Sequence, residues 1–195
     1  MVYFKRKNIF SFSKAEIKDL AISTLAIALI FAWNSRGFPT FDSWFILKMV
    51  ISTFTVGTGF ILHELAHRTV ARHFGAWSEF KAWYEGLAIA LALKMLLGAT
   101  FIAPGAVYIY KDYLTSEENG LISIAGPLTN VALAFVFLIL HIPIISDIGY
   151  MVNIFLAAFN MIPIYPLDGA KVLNWNPVIW AVVAIPLFLS VLGVL

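Results

Sequence analysis

From Trp44 to Leu62 the chain runs 19 residues with a single charge, Lys48, and passes at once into His63-Glu64-Leu65-Ala66-His67. Wound as a helix, those residues extend roughly 28 Å, close to the ~30 Å hydrocarbon core of a bilayer. Inside lipid every backbone N–H and C=O must be bonded within the segment, so such a run has to be helix. Composition extends this constraint to the whole chain. Of its 195 residues, 61% are hydrophobic and 12% charged, where a soluble domain carries about 25% charge. The mean hydropathy of +0.88 agrees. The sequence therefore reads as an all-α polytopic membrane protein, integral and multi-pass, with the lipid bilayer as its surroundings. The net charge of +2 gives no reason to expect a nucleic-acid partner.

Apolar periodicity and turn residues predict spans over 17–34, 44–74, 120–141, 148–162 and 177–195. Gly37, Pro39 and Asp42 mark the first turn, and Gly75 follows the second span. The run ending Phe31-Ala32-Trp33-Asn34-Ser35-Arg36 shows no small-x-small cleavage pattern, so it reads as a retained span. Basic residues set the orientation. Lys5, Arg6, Lys7, Lys14 and Lys18 precede the first span, Arg68, Arg72 and Lys81 follow the second, and Lys111 and Lys171 flank later ones. Loops 35–43 and 142–147 hold only Arg36. The N-terminus and the His-Glu-x-x-His are thus expected towards the cytoplasmic side. Gly86–Ile102 is apolar but carries Lys94 at its middle. A full crossing there would separate the histidines from the later residue considered below, so 77–110 is expected to dip in and return, or to lie in the interface. The total is about five to six membrane segments. The expected organisation is a cytoplasmic segment 1–16 and a single membrane-embedded domain 17–195.

On a helix, His63 and His67 lie one turn apart and leave the same face, the arrangement that holds one zinc ion with two nitrogens. Glu64 beside them can take a proton from water. The chain has no cysteine, so a metal must be held by imidazole and carboxylate. A catalytic zinc needs a third protein ligand, and Asp168 is the candidate. Pro163 and Pro166 stop the fourth span from continuing as helix, which leaves Asp168 just beyond it at the depth of the histidines. A zinc peptidase of another type would take a downstream glutamate as third ligand, and Glu79, Glu85, Glu117 and Glu118 are available for that.

His63-Glu64-Leu65-Ala66-His67 followed by Asn160-x-x-Pro163-x-x-Pro166-Leu167-Asp168-Gly169 resembles the site-2 protease family of intramembrane zinc metalloproteases. Ala125-Gly126-Pro127-Leu128-Thr129-Asn130 is similar to the small-residue, Asn-containing motif of that family's intervening span. The resemblance covers a core of about 44–175. It implies one Zn2+ per chain on His63, His67 and Asp168, Glu64 as the catalytic base, and Asn160 as a substrate-positioning residue. The implied substrate is a transmembrane protein or peptide. The 86–102 insertion is longer than the family's minimal pattern.

Other polar residues read as structural. Gly126 and Asn130 are expected to serve packing, since small residues let spans approach closely. His73 and His141 are expected at the interface, and Lys48 and Lys94 to snorkel or line a wet cleft. Phe101 to Tyr108 reads as a short β element near the active site, an extended edge to which a peptide could add as a strand. The function read from the sequence is an intramembrane zinc endopeptidase. The alternative is a membrane metal-binding or metal-transport protein without hydrolytic activity, which would have no use for the Glu64 base.

Overall fold

The computed structural model describes residues 11–33, 37–39, 41–100 and 104–194. Lys5, Arg6, Lys7, Arg36 and the Phe101–Ala103 start of the expected edge lie outside them. The described chain is mostly helical with one two-stranded sheet, and it divides into two compact units.

One unit holds residues 12–61 and 79–108. Helix α1 (Lys14–Ala32) opens on Ser13, whose hydroxyl accepts the Glu16 N–H at 3.0 Å, the usual remedy for an unpaired first-turn donor. It packs against α2 (Ser43–Ser52), against the π-helical turn Thr53–Gly57 and against α4 (Tyr84–Leu97). A Cβ on Gly57 would stand 2.9 Å from the Thr24 methyl, so the close approach of that turn to α1 requires glycine. The 14 residues of α4 reach about 21 Å, short of a crossing. They end at Gly98 in the left-handed region at φ 71°, as helix ends often do.

The sheet pairs β1 (Trp77–Ala82) with β2 (Gly105–Tyr110). The Trp83 N–H donates to the Pro104 carbonyl at 3.1 Å, which joins the end of one strand to the start of the other and makes the pair antiparallel. Sequence placed the extended edge at 101–108. Within the described residues the strand covers Gly105–Tyr110, and a Cβ on Gly105 would meet the Lys81 carbonyl at 2.2 Å, so the strands approach closely there. Its partner β1 was not anticipated. Alternation along the ladder turns the N–H groups of Phe80 and Ala82 away from β2. Side chains of α1 take them: Glu16 accepts from Phe80 at 3.1 Å and Asp19 from Ala82 at 3.1 Å.

The other unit holds residues 62–78 and 109–195 with Ser11. It contains most of α3 (Thr58–His73), α5 (Ser116–Leu140), α6 (Ile145–Asn160), α7 (Asp168–Trp175) and α8 (Pro177–Val191). Thr115 and Glu118 form a reciprocal capping box at the start of α5. Helix α5 packs on α6 and α7, and both of these pack on α8. The core between them comprises Ile124, Ala157, Ala158, Met161, Val172, Ala184 and Leu187. Glycine brings the helices together: a Cβ on Gly149 would lie 2.3 Å from the Phe137 ring.

Two described helices are long and apolar enough to cross a membrane, Ser43–His73 (α2, the π turn and α3 in continuity) and Ser116–Leu140. Ile145–Asn160 and Pro177–Val191 are apolar but shorter.

Candidate metal centre

His63 and His67 leave α3 one turn apart, with their Nε2 atoms 3.0 Å from each other. Asp168 is delivered from the far end of α6. After Asn160 the prolines prevent further helix, the chain turns over Ile162–Leu167, and Asp168 opens α7. The turn is tight enough that a Cβ on Gly169 would fall 2.2 Å from the Met161 carbonyl. Asp168 Oδ2 then stands 3.4 Å from His63 Nε2 and 3.1 Å from His67 Nε2. All three residues are buried, and the group is able to hold a metal ion.

The hydrogen bonds around the rings show which atoms are available to a metal. His67 Nδ1 lies 2.7 Å from the Ile122 carbonyl. A carbonyl only accepts, so Nδ1 carries the proton and the neutral ring offers the Nε2 lone pair. His63 Nδ1 lies 2.6 Å from Asn130 Oδ1, an acceptor too, with the same result. Two imidazole lone pairs and a carboxylate oxygen therefore face one another. Three acceptors at 3.0–3.4 Å repel unless a cation or a proton lies among them. Ligands of a tetrahedral zinc at about 2.0–2.2 Å are themselves about 3.3–3.6 Å apart, so the triangle fits that ion to within a few tenths of an ångström.

The other Asp168 oxygen, Oδ1, meets Lys171 Nζ at 3.5 Å, which keeps Oδ2 turned to the histidines. Glu64 is buried at the adjacent position of α3. Asn160 is the last residue of α6 and donates its amide to the Leu156 carbonyl at 2.9 Å. The structure thus brings His63, His67 and Asp168 together, while the Asn160 amide is turned to its own helix.

Sequence reasoning gave Gly126 and Asn130 to packing, and the structure sets both against the site. A Cβ on Gly126 would lie 2.4 Å from His67 Nε2 and 2.6 Å from His63 Nε2, so only glycine lets the α5 backbone lie under both rings. Asn130 is the acceptor that orients His63. Asn153, one helix further on, is fully buried and accepts from the Asn130 amide at 2.9 Å, a partner sequence could not foresee. The available signal was the polarity itself, because an amide in an apolar helix is costly unless bonded.

The chain is 61% identical over 188 residues to a protein of Methanocaldococcus jannaschii named "Putative zinc metalloprotease MJ0611", covering 92% of this chain and 94% of that one. The chain belongs to this zinc metalloprotease family. It is also 29% identical over 150 residues to the Mycobacterium tuberculosis protein named "Putative zinc metalloprotease Rip2". A second Methanocaldococcus jannaschii protein, "Zinc metalloprotease MJ0392", is 30% identical over 123 residues. The matched regions take up 57% and 30% of those two relatives, so this chain spans about half of one and less of the other. No family model matches the chain, and no solved structure matches it.

Proposed function

We propose that this chain is an intramembrane zinc endopeptidase of the site-2 protease type, cutting transmembrane proteins or peptides. The observation that carries the reading is the buried triangle of His63 Nε2, His67 Nε2 and Asp168 Oδ2 with a buried carboxylate, Glu64, next to its first member. His63, His67 and Asp168 hold one Zn2+. When bound, zinc acidifies a coordinated water and polarises the scissile carbonyl. Glu64 takes the proton of the attacking water and passes it to the leaving amine. Asn160 positions the peptide, and the outward edge of β2 gives the unwound substrate a strand to pair with.

Residues 17–195 form the membrane-embedded protease domain in this reading, with five to six membrane segments and the shorter apolar helices completing the bundle. The basic residues Lys14, Lys18, Arg68, Arg72, Lys111 and Lys171 support an orientation with the N-terminus and the site towards the cytoplasm. The chain lacks cysteine, so single introduced thiols report topology directly. Ser116→Cys should label from the inside, and labelling only from the outside would overturn this arrangement.

The test of function is metal analysis of the purified chain coupled to cleavage of a model transmembrane peptide. Wild type should hold one zinc and cleave. Glu64→Gln should keep the zinc and lose about 10²–10⁴-fold in rate. Near-normal cleavage by that variant would remove Glu64 from the mechanism and favour metal binding without hydrolysis.

A further inference from the structure

The orientation of His63 depends on a chain of amides that begins two helices away. The Gly149 carbonyl of α6 accepts a hydrogen bond from Asn153 Nδ2 at 2.8 Å. Because a carbonyl can only accept, this contact decides which end of the Asn153 amide faces which way. Asn153 Oδ1 is thereby turned towards α5, where it accepts from Asn130 Nδ2 at 2.9 Å. That bond fixes the Asn130 amide in turn, leaving its Oδ1 to accept from His63 Nδ1 at 2.6 Å. Reversing either amide would set donor against donor, or acceptor against acceptor, at every following contact. Asn130 and Asn153 are both 0% exposed, so a mismatched contact is costly there.

We infer that Asn153 is a positioning residue for the metal centre: through Asn130 it fixes the tautomer and ring direction of His63, so that Nε2 is the nitrogen offered to the ion. The inference rests on the zinc reading of the centre. It assigns a role to a residue that touches neither the ligands nor the base, and it makes α6 contribute to the metal site from its middle as well as from its end. Outer partners of this kind are worth about 10–100-fold in metal affinity elsewhere.

The test is zinc affinity of the detergent-purified full chain, measured by competition with a chelator of known affinity. Asn153→Leu keeps the side-chain volume but removes the oxygen that accepts from Asn130 Nδ2, and should weaken zinc binding about 10–100-fold. The decisive sample is the double variant Asn153→Leu/Asn130→Asp. A carboxylate at 130 accepts the His63 N–H through either oxygen and needs no partner to orient it, so affinity should return to within a few-fold of wild type. An Asn153 that merely packs helices would not be rescued in this way. Unchanged affinity in Asn153→Leu overturns the inference, and so does a loss that the double variant fails to restore. If Asn153→Leu does not accumulate, Asn153→Ala alone and combined with Asn130→Asp carry the same test: weakened binding that the double variant restores supports the relay, and unchanged or unrestored binding overturns it. Failure of the zinc reading itself would show separately, as wild-type protein that holds no zinc or as Asp168→Ala that holds as much as wild type.

Discussion

Two polar clusters, one in each unit, use similar residues to opposite ends. Beneath β1, Glu16 and Asp19 spend their oxygens on the N–H groups of Phe80 and Ala82 and on the Tyr84 hydroxyl, at 2.6–3.1 Å. Those carboxylates close a strand edge that would otherwise invite pairing. In the other unit, Asn130 and the Ile122 carbonyl occupy the outer nitrogens of the two histidines, and the inner nitrogens and Asp168 Oδ2 are left facing one another. Burial alone does not distinguish a structural carboxylate from a metal ligand. The direction of the remaining lone pairs does.

That contrast is open to direct attack. The largest effect is expected at the point of convergence. Asp168→Ala should reduce zinc to a trace by metal analysis and abolish cleavage, and full occupancy in that variant would put the third ligand elsewhere. Next comes Gly126→Ala. Alanine favours helix by about 1 kcal/mol over glycine, so α5 should form at least as well, yet the new methyl collides with both imidazoles. Zinc affinity should fall at least about tenfold with helix content unchanged by circular dichroism. A smaller effect is expected on β2, where alternation turns the Val107 N–H away from β1. Val107→Pro removes that donor, worth about 0.5–1.5 kcal/mol, so cleavage should drop roughly 2–12-fold while zinc stays at wild-type level. The smallest change in function belongs to the closed cluster. Glu16→Ala strips an acceptor from the buried Phe80 N–H and should cost about 1–3 kcal/mol of stability, seen in denaturation, with zinc content intact. Zinc loss in Glu16→Ala would show that the two clusters are not separable.

The convergence of His63, His67 and Asp168 was legible in sequence because each position follows from a local rule. His63 and His67 follow the helical period, and Pro163 and Pro166 announce the break that frees Asp168. The limits of the spans were legible to within about four residues, and the starts of α1 and α5 fell earlier than expected because Ser13 and Thr115 cap polar first turns that precede the apolar runs. Residues whose role is to face another helix were not legible. Asn130 beside Gly126 gives one pattern whether the amide fastens two spans or holds an imidazole, and only the rotation of α5 against α3 separates the cases. Asn153 has no local pattern at all, since its partners lie 23 residues away in Asn130 and on its own helix in Gly149. Strand β1 escaped because Trp-Ser-Glu-Phe-Lys-Ala is too short and too mixed in polarity to declare itself, and its edge is completed by carboxylates more than 60 residues upstream.

The triangle of facing acceptors also ties the lifetime of this protein to its metal. A cation that relieves their repulsion binds the folded chain and finds no such site in the unfolded one, so occupancy and folding become one thermodynamic quantity. At a free zinc concentration a thousand times the dissociation constant, that linkage adds about 4 kcal/mol to stability, a large share of the 5–15 kcal/mol typical of a whole domain. Chelation would then act as a denaturant directed at a single point, and a cell short of zinc would lose the protein itself along with its activity.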